Sequence, residues 1–131
     1  MISYGKQHIN LNDIKAVTKA LKKNLITQGE TINSFENALK KKLKTKYCTV
    51  VSNGTSALNM VSNALNWKKK DIIVTTPISF ISSSNCILNQ GAIPYFVDID
   101  KDTYGIDPNK VEYVLKKNLF IRKKIKALIA V

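Results

Sequence analysis

From Tyr47 onward the chain alternates two periods. Short apolar runs at Tyr47–Val51, Ile72–Thr75, Ile93–Val97 and Ile125–Val131 are separated by helix-length segments at Ser56–Leu65, Phe80–Leu88 and Pro108–Lys117. Runs of four to seven apolar residues, with no polar alternation, suit strands covered on both faces. Strand, helix, strand, helix in sequence predicts a mainly parallel sheet with flanking helices, since a parallel pair needs a long crossover between its strands. Pro108 suits the first turn of its helix, where a missing N–H costs nothing. No internal repeat and no linker interrupts the pattern, and 131 residues fit one domain, near the lower end for an α/β enzyme.

Ahead of this lie two amphipathic segments. Leu11, Ile14, Val17, Leu21 and Leu25 recur at helical spacing, with Asn10 or Asn12 as N-cap and Lys on the opposite face. After a break at "ITQGET", Ile32, Phe35, Leu39 and Leu43 mark a second helix, capped by Thr31 or Asn33. The turn Thr27–Glu30 separates them.

Charge narrows the function classes less than its size suggests. Basic residues outnumber acidic ones by 21 to 9, giving +12, yet Arg122 is the sole arginine. Bidentate reading of bases relies on Arg, whereas Lys supplies point charge. The Lys clusters at 40–46, 68–70, 116–117 and 123–126 fit solvated helix faces, and a polyanion-binding surface is the other reading. A nucleic-acid-binding module would carry an aromatic strand motif, zinc spacing or an Arg-rich recognition helix, and the sequence has none of these. Cys48 and Cys86 lack CxxC spacing and are expected as ordinary buried thiols, with no metal site. Met1–Asn10 has no apolar core of a signal peptide, and no apolar run approaches the ~18 residues that span a bilayer. A cytoplasmic location without membrane association is the default expectation.

Chemistry concentrates in two turns. In "VVSNGTSALNM", Val50–Met60, an apolar run gives way to Ser52, Asn53, Gly54, Thr55 and Ser56, and a helix starts at once. Such a turn aims the free N–H groups of a helix start at the space beyond the sheet, which is an anion site. Gly54 allows close approach of the backbone, and Thr55 and Ser56 add hydroxyls and capping. Neither GxGxxG nor GxxxxGK[ST] is present, and an ordinary Asn-Gly turn with a Ser or Thr cap accounts for the local residues equally well. The second turn, "TTPISFISSSN" from Thr75 to Asn85, places Phe80 among small polar residues after a strand. Phe80 is either a core residue at the head of a helix, the commoner role, or a platform for a planar ring, where offset stacking adds ~0.5–1.5 kcal/mol.

These stretches, in this order, resemble the DegT-type sugar aminotransferases, pyridoxal-phosphate enzymes of fold type I. The resemblance covers essentially the whole chain and rests on "LITQGETINSFENAL" from Leu25, "SNGTSAL" from Ser52, "TTPISFISSSN" from Thr75, "GAIPYFVDID" from Gly91 and the final "KALIAV". It implies that residues 1–131 are the N-terminal part of the aspartate aminotransferase-like large domain, a reading to which the abrupt end on an apolar run also leads. It implies that Gly54, Thr55 and Ser56 hold the cofactor phosphate, that Phe80 stacks on the pyridine ring, and that Tyr4, Thr27, Gln28, Gly29 and Glu30 line a nucleotide-sugar site. Glu30 would repel a pyrophosphate, and His8 has no family role and is expected at the surface. Within the family, "TTPISF" together with "ITQG" points to transfer of an amino group from glutamate to a UDP-linked 4-keto-6-deoxy sugar of the pseudaminic acid route. The family's Schiff-base Lys and the Asp that pairs with the pyridinium nitrogen lie beyond Val131, so no catalytic residue is assigned and the chain alone is expected to be inactive. A dehydratase of the same fold, with His at the Lys position, is the related alternative. The resemblance further implies a homodimer for the full-length protein, and an uncovered apolar sheet edge predicts poor solubility for the chain alone.

Overall fold

The computed structural model describes residues 5–117 and 119–131. It divides into two compact units, Met1–Val50 and Val51–Val131.

The first unit holds two helices, α1 (Leu11–Leu21) and α2 (Glu30–Leu43). Asn10 starts α1 with a reciprocal capping box. Its Oδ1 accepts from the N–H of Asn12 at 2.8 Å and of Asp13 at 3.2 Å, and its own N–H donates to Asp13 Oδ2 at 2.8 Å. Leu25 falls outside α1, which closes at Lys22. The cap of α2 differs from the sequence expectation of Thr31 or Asn33: Gly29 takes the position, and no side chain bonds there. Neither helix buries a residue fully. The expected apolar stripe of α1 faces outward, with Leu11, Ile14, Val17 and Leu21 all more than half exposed.

The second unit contains α3 (Gly54–Ala64), β1 (Ile72–Thr75), α4 (Ser82–Leu88), β2 (Ile93–Phe96), α5 (Pro108–Lys117), α6 (Leu119–Lys124) and β3 (Ile125–Leu128). The strands form a parallel sheet in the order β2-β1-β3. Parallel strands joined through helices are what the alternating pattern predicts. β1 is central and buried along its whole length, as its unbroken Ile-Ile-Val-Thr run requires. Ile72 pairs with Ile93 on one side and Ile125 on the other, and the register then skips Lys126, so that Ile73 faces Ala127. That irregularity keeps the Lys126 side chain exposed on a strand whose neighbours are apolar.

The core is small. Trp67, Ile73, Cys86, Ile87 and Ala92 form it, with Leu58, Ala127 and Ile129 packed alongside. Trp67, set in a polar stretch that gives no periodic signal, belongs to it.

Tyr47–Val51 does not form the expected strand. The N–H of Val50 donates to Glu36 Oε1 at 2.9 Å, and Tyr47 is exposed, so no strand ladder forms there among the described residues. Cys48 is correspondingly half-buried, not buried, while Cys86 is buried, and both thiols are free. Helix α6 was not expected from sequence; it continues the basic segment just before β3.

Between β2 and α5 a loop is closed by carboxylates. Asp100 Oδ1 accepts from the N–H of Thr103 at 2.8 Å, the N–H of Asp102 at 3.0 Å and the Thr103 hydroxyl at 3.0 Å. Those bonds hold the Asp100 carboxyl below the usual carboxylate range. Asp98 is lowered too, chiefly by the Ile99 N–H and then by Lys110, whose Nζ lies 3.2 Å from Oδ2. A depressed folded pKa means the ordered loop is favoured above the unfolded-state pKa and loses that preference as pH falls through the folded value. In an acid titration followed by amide NMR, the Asp102 and Thr103 resonances are expected to hold their positions until below the ordinary Asp range and then move together. Movement centred at the ordinary Asp value would contradict this arrangement.

Candidate functional site

The crossover from β1 through α4 to β2 carries the Phe80 turn, and α3, which opens with the Ser52–Ser56 turn, precedes β1. Helix α3 has eleven residues and rises about 16 Å. Thr76–Ile81 emerges at the carboxyl end of β1. Helices α3 and α4 pack against each other.

At the head of α3, Asn53 is the N-cap, with extended backbone at φ −164° and ψ 169°. Its Oδ1 accepts from the Ser56 N–H at 2.8 Å, its Nδ2 donates to Ser52 Oγ at 3.2 Å, and Ser52 Oγ and Ser56 Oγ are 3.3 Å apart. The Ser56 N–H is thus already bonded, and Ser56 offers a hydroxyl alone. The Ala57 N–H donates to the Asn53 carbonyl at 3.1 Å, closing the first turn. Among the described residues, the N–H groups of Gly54 and Thr55 find no protein acceptor, and both residues are exposed. A Cβ built on Gly54 meets no atom within 4 Å, so protein packing does not require a glycine there and the space above the helix start is open. Two free amides, two hydroxyls and the positive end of a helix dipole fit a phosphate.

Phe80 lies outside the core. It is 73% exposed and precedes α4, which begins at Ser82, two residues later than the sequence pattern suggests. It lines a cavity of about 290 Å³ with Thr76, Pro77, Ser79, Ser83 and Phe96, among others. The Ser79 and Ser83 hydroxyls are bonded at 2.7 Å, and the Phe80 carbonyl accepts from the Ser83 N–H at 3.0 Å, which fixes the loop beneath the ring. Phe96 is a second aromatic wall that sequence reasoning passed over as part of a strand. The Ser52–Ser56 turn is not in the wall of this cavity; it sits at the neighbouring helix start.

The remaining residues fall in the first unit or outside the description. Thr27, Gln28 and Gly29 form the turn that leads into α2 at Glu30, with Gln28 in the left-handed region at φ 52°. Gly29 and Glu30 border a cavity of about 510 Å³ with Lys22, Lys23, Asn24 and Leu25. Glu30 is the first residue of α2, where an acidic side chain suits the helix dipole, and Lys23 Nζ is 4.0 Å from Oε2. His8 is exposed as expected. Tyr4 lies outside the described residues. No group of His, Cys, Asp and Glu among the described residues could hold a metal ion, and no described helix is long and apolar enough to cross a membrane.

Comparison with known proteins fits this arrangement to a family. The DegT/DnrJ/EryC1/StrS aminotransferase family matches residues 7–131. The chain belongs to this family. A UDP-4-amino-4,6-dideoxy-N-acetyl-beta-L-altrosamine transaminase of Campylobacter jejuni is 42% identical over 118 residues, covering 90% of this chain and 31% of that relative. The structure of Helicobacter pylori PseC, an aminotransferase involved in the biosynthesis of pseudoaminic acid, superposes with a TM-score of 0.82 at 31% identity, covering 98% of this chain and 33% of that one. NtdA of Bacillus subtilis, solved with bound cofactor PMP, gives a TM-score of 0.78 at 26% identity, covering 93% and 28%. The chain thus spans about a third of the length of these relatives.

One residue in the first unit is fixed by packing. A Cβ on Gly29 would lie 2.9 Å from the Leu25 carbonyl oxygen, a backbone atom with little freedom to move. Gly29→Ala is expected to destabilise the Thr27–Glu30 turn by about 1–2 kcal/mol, as crowding outweighs the reduced entropy of the unfolded chain. Urea unfolding followed by helical circular dichroism measures it, and an unchanged or raised midpoint would contradict the crowding.

Proposed function

We propose that this chain forms the phosphate seat and ring platform of a pyridoxal-phosphate-dependent nucleotide-sugar aminotransferase, together with part of its sugar-binding surface. The observation that carries the reading is the pair of unpartnered amides at Gly54 and Thr55, at the start of a helix whose neighbour presents Phe80. The family to which the chain belongs supports the same reading.

In this role the Gly54 and Thr55 N–H groups donate to phosphate oxygens, and the Thr55 and Ser56 hydroxyls add two further donors. Asn53 keeps the turn open by holding Ser52 and Ser56 back, so the amides stay aimed outward. Phe80 covers one face of the pyridine ring and excludes water from it. When bound, the cofactor supplies the electron sink for moving an amino group, so the protein's task here is orientation. The amino donor is glutamate and the acceptor a UDP-linked 4-keto-6-deoxy sugar of the pseudaminic acid type, a reading supported by the names of the Campylobacter and Helicobacter relatives. Thr27, Gln28, Gly29, Glu30 and Tyr4 contribute to the sugar-nucleotide surface. The chemistry requires a Lys from outside these 131 residues, and the working enzyme is a cytoplasmic homodimer.

A backbone donor can be removed here without losing the helix. Gly54 is the first helical residue, where Pro is favoured, and the extended Asn53 before it is the conformation a following Pro demands. Gly54→Pro deletes one N–H, and Gly54→Ala adds comparable bulk at Cβ while keeping it. With pyridoxamine 5′-phosphate, chosen because it has no aldehyde to react with surface Lys, Gly54→Pro is expected to weaken binding by about tenfold, the equivalent of one hydrogen bond to a charged group of ~1.5 kcal/mol. Gly54→Ala is expected to bind within about twofold of the parent chain. Equal affinity for the Pro variant and the parent would overturn the phosphate seat.

A further inference from the structure

The contact between α3 and α4 has one apolar part, where Leu58 of α3 packs against the core that holds Cys86 and Ile87 of α4, and is otherwise lined by small residues. The buried residues of α4 are Ser82, Ser83, Cys86 and Ile87, and the one of α3 is Ser62. Small side chains let two helices approach but offer few knobs to resist sliding or rotation. One apolar contact leaves the tilt of α4 about it to be set elsewhere.

Two amide pairs set it. Asn89 Nδ2 donates to Asn59 Oδ1 at 3.0 Å, and Gln90 Nε2 donates to Asn63 Oδ1 at 2.9 Å. The α3 members are braced in turn: Asn63 Nδ2 donates to the Asn59 carbonyl at 2.9 Å, and the buried Ser62 hydroxyl donates to the same carbonyl at 2.8 Å. Asn89 is the C-cap of α4 and Gln90 the next residue, so both bonds hold the end of α4 opposite Phe80. The N-terminal end of α4 has no side-chain cap of its own. The far end of this seven-residue helix is tied by these amides and its start is tied to the Phe80 loop by the Ser79–Ser83 hydroxyl bond, so a tilt about the Ile87 contact reaches the loop carrying Phe80.

We propose that Asn59, Asn63, Asn89 and Gln90 are positioning residues that set the spacing between the amides of Gly54 and Thr55 and the ring of Phe80. They touch no ligand. This inference rests on the cofactor reading above and adds to it what fixes the distance between phosphate and ring. A ligand with both groups senses the spacing; a ligand with phosphate alone does not.

The test compares inorganic phosphate with pyridoxamine 5′-phosphate on the 131-residue chain, reading the ratio of the two dissociation constants. In the parent chain the ring makes the second ligand bind more tightly. In the double variant Asn59→Ala, Asn63→Ala, where Ala favours α3 more than Asn does, that advantage is expected to fall by about two- to tenfold, the worth of one ring contact. Phosphate affinity is expected to stay within about twofold. Asn59→Asp alone keeps the acceptor oxygen facing Asn89 and leaves the Asn63 brace intact, and is expected to retain the advantage. A purely structural role would weaken both ligands together; that result, or an unchanged ratio in the Ala variant, would overturn the proposal while leaving the cofactor site standing. A parent chain that binds both ligands equally would overturn the shared site itself, and the positioning role with it.

Discussion

Everything in the second unit depends on β1 being paired on both sides by parallel neighbours. A parallel pair cannot be closed by a tight turn, so each strand must be reached through a helix that runs back across the sheet. That return journey puts the helix starts and the strand ends on one edge. Loops free of the ladder collect there, Phe80 among them; the proposed anion seat at Thr55 and the proposed platform at Phe80 lie 25 residues apart in the chain. The burial of Ile72, Ile73, Val74 and Thr75 anchors this edge.

What stands at the edge is polar and small, and its order comes from hydrogen bonds more than from packing. Asn53 shapes the head of α3, Ser79 and Ser83 tie down the Phe80 loop, and the Asn59 and Asn63 amides hold the far end of α4. The hydrophobic core of the unit lies lower, around Ile73, Ile87 and Trp67. Core and edge meet in α4, which carries Cys86 and Ile87 into the core while hydrogen bonds tie its two ends.

Much of this was legible in the sequence where period and chemistry agreed. Ile72–Thr75 and Pro108–Lys117 appear as expected, because one is an unbroken apolar run and the other begins with Pro and keeps helical spacing. Asn10 was one of two candidate caps for α1, and the capping box with Asp13 decided between them. Tyr47–Val51 failed as a strand because apolar content cannot supply a partner: Glu36 takes the Val50 amide instead. Gly29 takes the cap of α2 in place of Thr31 or Asn33, and the Leu25 carbonyl four residues earlier crowds the space a side chain would need there, a detail of the turn's backbone path that residue types do not report. For the site, the Ser52–Ser56 turn and Phe80 were visible as small residues and an aromatic after strands. Phe96 and the bonded state of the Ser56 amide were not, since both depend on which segments lie side by side. The family resemblance extended the reading to the cofactor, and the family match over residues 7–131 now stands beside it.

The central claim is that the amides opening α3 hold a phosphate while Phe80 meets the ring attached to it. Amide and aromatic NMR shifts during titration with pyridoxamine 5′-phosphate test it most directly. The account predicts saturable changes largest at the Gly54 and Thr55 N–H groups and the Phe80 ring protons, all following one binding curve. Changes spread over the Lys-rich segments 40–46 and 116–126, with Gly54 and Thr55 unmoved, would contradict it.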